Sequence, residues 1–163
     1  SPLVLDQPMC LFERRIKMMR AGQELIVKNS APVAHNARIS GNADFNGVIN
    51  LTIPPGQQLT KKLVAEPRPL MLACDIHGWM AGRIGVFDHP YFALTGDDGT
   101  FEIKDAPVGK YMLFVQHEKA GWLHKPRERA GDVGGSKGQP ITIRAGGTVD
   151  LGKFELKPAF LDN

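Results

Sequence analysis

The chain has 163 residues, 42% of them hydrophobic, and a formal net charge of +3, enough for one domain or two small ones with a real core. No apolar run approaches the ~20 residues that a membrane-spanning helix needs. So mild a charge, without a basic stripe studded with aromatics, points away from nucleic acid and only weakly toward an acidic partner surface.

Glycine (18) and proline (12) are plentiful. They fall between short apolar runs, which predicts many turns and an all-β architecture. Residues 1–11 read as an apolar-rich arm. From Glu13 to Arg20, basic residues crowd around Ile16, Met18 and Met19, which predicts a strand with a basic outer face. Glu24 to Lys28 is a short buried strand stopped by Asn29, Ser30 and Pro32, and His35 to Ile39 restarts an extended segment. Val48 to Ile53 alternates, with Ile49, Leu51 and Ile53 on one face. Gln58 to Ala65 is a further strand, broken by Pro67 and Pro69. Leu70 to Ala73 is an apolar strand that delivers Cys74, and Arg83 to Phe87 follows as its neighbour.

A second unit is expected after that. Tyr91 to Leu94 and Thr100 to Lys104 flank Gly96-Asp97-Asp98-Gly99, the pattern of a β-hairpin. Tyr111 to Gln116 is a strand, residues 119–139 a long exposed loop, and Ile141 to Ile143 and Val149 to Leu156 close the unit. No segment has a convincing helical period. The expected organisation is therefore 1–88, 89–157 and a tail at 158–163.

The chemistry concentrates in Cys74-Asp75-Ile76-His77-Gly78-Trp79-Met80. A thiolate, an imidazole and a thioether at C-x2-H-x2-M spacing are the side chains that a soft, redox-active copper ion draws together. His35, on an earlier loop, completes the set. His35, Cys74 and His77 in a trigonal arrangement with a weak axial Met80 make the ligand set of a blue-copper electron-transfer site. One type 1 copper per chain is the cofactor expected. Cys74 must bind as thiolate and the histidines as neutral imidazoles. Asn36 is expected beside the ligands, tying their loops together, with backbone amides near Ala31 to Ala34 facing the sulfur.

Each of these residues has a plainer reading. His35 alone could be a satisfied loop histidine, and Met80 alone a core residue. Cys10 and Cys74 could form a disulfide. Zinc also takes cysteine and histidine, but thioether is a poor ligand for it. Trp79 either lines an exposed apolar patch through which electrons leave by way of His77 or plugs the end of the sandwich. His89, His117 and His124 lack partner spacing that makes a site, and His117-Glu118 at a strand end reads as structural. Lys119, Lys125, Arg127, Arg129 and Lys137 read as a solvated loop, with docking of an acidic redox partner as the sharper reading. There is no G-x-S-x-G, phosphate-binding glycine loop or HExxH, so no enzyme activity is expected. Cys74 and His77 could mimic a nucleophile pair, but they lie on one tight loop with no oxyanion hole suggested.

Glu24 to Asn36, a strand followed by Asn29 and then His35-Asn36, resembles the first-ligand segment of plastocyanin-type cupredoxins. Cys74 to Met80 has the short ligand-loop spacing of amicyanin. Asp98-Gly99-Thr100-Phe101-Glu102-Ile103 followed by Pro107-Val108-Gly109-Lys110-Tyr111 resembles a carboxypeptidase-regulatory-like, or transthyretin-like, unit. The whole is similar to bacterial cupredoxin-like proteins, described as methylamine-utilisation or plastocyanin-like, that fuse the two. The resemblance implies a cupredoxin Greek-key β-sandwich followed by a small prealbumin-like β-sandwich. It departs at Gly78, where relatives commonly carry proline, and after Cys10, where relatives often carry a histidine. No second metal site is therefore expected at Cys10.

These readings imply a one-electron carrier between redox partners, such as a c-type cytochrome or an oxidoreductase of the cell envelope. The alternative is a structural subunit of a larger envelope complex, docking through its apolar ends, with the copper as an embedded relay or absent. The start at Ser1-Pro2-Leu3, without methionine or signal peptide, is compatible with a processed export product or a trimmed chain. The first of these implies a periplasmic or otherwise exported location.

Overall fold

The computed structural model describes residues 1–123 and 138–155 and is all-β. Among these residues the sole helical element is a 3-10 turn at Pro8–Cys10. The chain divides into two compact units, Ser1–Ile103 and Lys104–Asn163.

The first unit contains eight strands: β1 (Leu3–Asp6), β2 (Ile16–Arg20), β3 (Glu24–Lys28), β4 (His35–Ser40), β5 (Val48–Ile53), β6 (Gln58–Lys62), β7 (Leu70–Ala73) and β8 (Ala81–Phe87). They form a three-stranded sheet ordered β1-β3-β6 and a five-stranded sheet ordered β2-β8-β7-β4-β5. Side chains alternate across a strand, so each sheet has an inward apolar row. Leu5, Leu25 and Val27 from the first sheet share one core with Met19, Ala37, Ile39, Ile53, Leu70, Leu72, Ile84 and Val86 from the second. Two sheets sharing one core make a β-sandwich.

Strand composition explains strand position. β6 is exposed along its whole length and carries Lys61 and Lys62, which suits an edge. β5 alternates as its sequence predicts, with Ile49, Leu51 and Ile53 inward. The segment before β2 approaches β8 closely: Arg83 N–H donates to the Arg15 carbonyl at 2.8 Å. A Cβ at position 82 would collide with that carbonyl, so Gly82 is required there.

The N-terminal arm differs from expectation. It is not a free apolar end, because Leu3–Asp6 pairs in parallel with Leu25–Lys28 and Leu5 is fully buried. The hairpin expected over 91–104 is also absent. Its turn forms, with Gly96 N–H donating to the Thr100 carbonyl at 2.9 Å and the Asp98 carboxylate accepting from the Thr100 amide and hydroxyl. Neither flank is a strand. Phe92 instead stacks on Phe87 with ring centroids 4.8 Å apart, and Tyr91 stacks on His89. Ring packing holds this segment where ladder pairing was predicted.

In the second unit, β9 (Gly109–Leu113) pairs antiparallel with β12 (Gln139–Ile143), and β10 (Val115–His117) with β11 (Gly121–Leu123). The strand expected from Tyr111 to Gln116 is thus divided at Phe114, whose ring meets Trp122 edge-on. β11 lies within the loop expected at 119–139, and residues 149–155 are not a strand. His117 Nδ1 accepts from the Lys119 and Ala120 amides, the structural role read for it. His124, Lys125, Arg127, Arg129, Lys137 and the 158–163 tail lie outside the described residues.

Candidate metal centre

Strand register brings the distant candidate ligands together. β4 and β7 are antiparallel neighbours, with Arg38 opposite Ala73. The next residues along therefore place His35, the first residue of β4, beside the loop that begins at Cys74. β7 and β8 form a hairpin with Ala73 opposite Ala81, and the Cys74–Met80 loop spans them. That loop is closed by Cys74 N–H to the Met80 carbonyl at 3.1 Å and Met80 N–H to the His77 carbonyl at 2.9 Å.

Cys74 Sγ lies 4.0 Å from His35 Nδ1 and 3.8 Å from His77 Nδ1. With a metal–sulfur bond of about 2.3 Å and a metal–nitrogen bond of about 2.0 Å, donors at 120° stand about 3.7 Å apart. Both sulfur–nitrogen separations are therefore near those of donors to a single trigonal ion. The two imidazole centroids are 4.7 Å apart. Cys74, His35 and Met80 are buried, whereas His77 is half-buried and reaches toward solvent. Burial, with a smaller contribution from His77, holds His35 below its ordinary value of 6.5, so it is neutral at pH 7 and available as a ligand.

Asn36 sits behind the sulfur. Its Oδ1 accepts from the Asp75 amide at 2.7 Å and the Ile76 amide at 3.3 Å, and lies 3.2 Å from Cys74 Sγ. Its Nδ2 donates to Asn50 Oδ1 at 2.8 Å and Asp75 Oδ2 at 3.0 Å. Asp75 also accepts from Asn50 and from Arg38 Nε, at 2.9 and 2.7 Å. These bonds, Asn50's first and then Arg38's, hold its carboxyl below the ordinary 3.8. Asn36 thus joins β4 to the loop that begins at Cys74, within a wider network of Asn50, Asp75 and Arg38. Arg38 and Asn50 face each other in register across β4 and β5. Their position on the polar side of alternating strands was the available signal. The Ala31 amide does not face the sulfur as expected; Asn29 Oδ1 takes it at 3.0 Å.

Trp79 is 67% exposed, so it does not plug the sandwich. Its ring lies 5.1 Å from that of His77, and its Nε1–H donates to the Cys10 carbonyl at 3.1 Å. Met9, Leu11 and Ile76 are also exposed on these two loops. Both cysteines are free thiols, so the disulfide alternative does not form. Unexpectedly, Cys10 Sγ and one nitrogen each of His35 and His77 lie within 4.8 Å of one another. The sequence gives no local sign of this, because a strand pairing and a tertiary turn bring Cys10 there.

No family model matches the chain, and no curated protein matches it either. Solved structures do resemble it over about half its length. A Cu(I) form of an amicyanin variant is 16% identical over 53% of this chain and 82% of its own, with a TM-score of 0.47. A purple cupredoxin from Nitrosopumilus maritimus is 17% identical over 52% of this chain and 98% of its own, with a TM-score of 0.43. A copper-containing nitrite reductase from Thermus scotoductus is 15% identical over 55% of this chain and 23% of its own, with a TM-score of 0.48.

Proposed function

We propose that the first unit is a cupredoxin-like domain holding one type 1 copper ion through His35, Cys74, His77 and an axial Met80, and that it carries single electrons between redox partners. The observation that carries this reading is the placement of Cys74 Sγ at 4.0 and 3.8 Å from two imidazole nitrogens. When bound, the copper supplies a one-electron couple whose potential follows the axial ligand and the surroundings of the cysteine sulfur. The chain's own residues set the rest. His35 is buried and neutral, Asn36 fixes the start of the ligand loop, and the loop's own hydrogen bonds fix its end. Holding His35, Cys74 and His77 this firmly before metal binding suits electron exchange, since neither oxidation state has to rebuild that set.

Met80 favours copper over zinc, because a thioether beside thiolate and imidazole suits the softer metal. Its buried position at the closed end of the loop agrees with that role. His77 is the ligand within reach of solvent, and the exposed Trp79, Ile76, Met9 and Leu11 make an apolar approach to it. A c-type cytochrome or an envelope oxidoreductase is the partner we infer, in an exported location. Among the described residues no helix is long and apolar enough to cross a membrane. The second unit then serves as a docking or stabilising module.

The test is addition of Cu(II) to reduced protein. An intense visible thiolate-to-copper absorption is expected, and Cys74→Ser removes it. A colourless protein with both thiols still titratable overturns the reading.

A further inference from the structure

We propose that Cys10 is a second thiolate donor to this site, recruited by the reduced ion, Cu(I). The proposal rests on the copper reading above and extends it to a residue outside the four expected ligands.

Three observations support it. Cys10 Sγ lies within 4.8 Å of a nitrogen on His35 and of one on His77. Donors to one ion stand about 3.5 Å apart at a tetrahedral angle and about 4.3 Å apart when opposed. Closing from the 4.8 Å limit to about 3.5 Å from both nitrogens would bring Cys10 to tetrahedral separations from them. Second, His35 is fully buried and its Nε2 has no hydrogen-bond partner. A ligating histidine ordinarily gives its second nitrogen to a carbonyl, carboxylate or water. Here the imidazole beside Cys10 is left uncompensated by the protein. Third, the Cys10 turn is anchored to the ligand loop, because Trp79 Nε1–H donates to the Cys10 carbonyl at 3.1 Å. Met9 and Cys10 both adopt left-handed backbone, with φ of 47° and 55°. Neither is a glycine, so the turn holds an unfavoured conformation that presents Cys10 toward the histidines.

Chemistry selects the oxidation state. Cys74 stands at the separations of a tight trigonal site. A soft ion that accepts a second thiolate in place of the weak Met80 thioether is Cu(I). Cys10 loses its proton to solvent on binding, and no electron moves in that step. The consequence is selective stabilisation of the reduced form.

The experiment compares wild type with Cys10→Ser, using Cu(I) in competition with bathocuproine disulfonate. We expect Cys10→Ser to bind Cu(I) at least tenfold more weakly, a loss at the lower limit for removing even an outer partner of a ligand. The Cu(II) absorption should persist. In wild type, Cu(I) should protect Cys10 from alkylation by iodoacetamide, read by mass spectrometry. This second measurement needs no variant and stands if Cys10→Ser fails to fold. Unchanged Cu(I) affinity with Cys10 alkylated equally in the presence and absence of Cu(I) overturns the proposal while leaving the Cys74 site intact. Absence of any copper binding or Cys74-dependent colour in wild type overturns the copper reading itself.

Discussion

The side-chain carbonyl of Asn36 lies 3.2 Å from Cys74 Sγ, although the two residues are 38 positions apart. In the metal-free protein the thiol proton occupies that contact, donated from sulfur to oxygen. The same oxygen is kept in place by the Asp75 and Ile76 amides, which hold the start of the loop against β4.

Asn36→Ala should unfasten the ligand loop from β4. The Asp75 and Ile76 amides lose their acceptor. Leaving such groups unsatisfied costs about 1–3 kcal/mol. Urea unfolding should register that loss, and copper affinity should fall about 10–100-fold, as for other residues that orient ligands. Arg38→Ala, which removes an exposed ion pair with Asp75, should cost less stability than Asn36→Ala does.

Gly78→Ala should stabilise the protein. Gly78 does not use left-handed backbone, and a Cβ there meets nothing within 4 Å. Restricting the unfolded chain at such a position is worth about 0.4–1 kcal/mol. Thermal melts of the metal-free protein should shift upward, with the copper absorption unchanged.

Met80→Leu should separate packing from tuning. Met80 is 1% exposed and belongs to the shared core, and a volume-conserving replacement costs less than about 1.5 kcal/mol. The thiolate absorption should remain, since Cys74 is intact. On the proposed ligation the reduction potential, measured by voltammetry, should move, because the thioether is gone. An unmoved potential would argue that Met80 is a core residue only.

Asp6 should govern part of the acid stability. Burial works against its charge, but the Ser30 hydroxyl, the Gln7 and Ser30 amides and Lys28 outweigh that and hold its carboxyl below 3.8. The unfolded chain then takes up a proton at a higher pH than the folded chain does. This contribution to stability is complete above pH 3.8 and is lost as pH falls through the folded value. Asp6→Asn should be less stable near neutrality and should flatten the acid limb of a stability–pH curve.

Local chemistry made much of the first unit legible. Leu70 to Ala73 is a clean apolar run between Pro69 and Cys74, and β7 has those ends. The alternation from Val48 to Ile53 shows both strand and inward face. His35, Cys74 and His77 were readable as a group because two of them share a loop and the third opens a strand. What escaped depends on contacts distant in sequence. β1 is short and contains an aspartate, and it becomes a strand only against β3. The turn chemistry of Asp98 and Gly99 was right, but aromatic stacking around Phe87 and Phe92 replaced the predicted ladder. Cys10 lies on a turn whose direction is set by two different sheets, so its approach to the histidines has no sequence pattern.

β1 lies at the edge of one sheet and β2 at the edge of the other. The first twenty residues thus act as a guard for both halves of the sandwich. A chain beginning after Arg20 would leave β3 and β8 as open, apolar borders with unpaired backbone groups, ready to recruit other chains. Such a fragment should assemble into β-rich aggregates. The segment that brings Cys10 to the histidines is therefore also what covers the outer borders of β3 and β8.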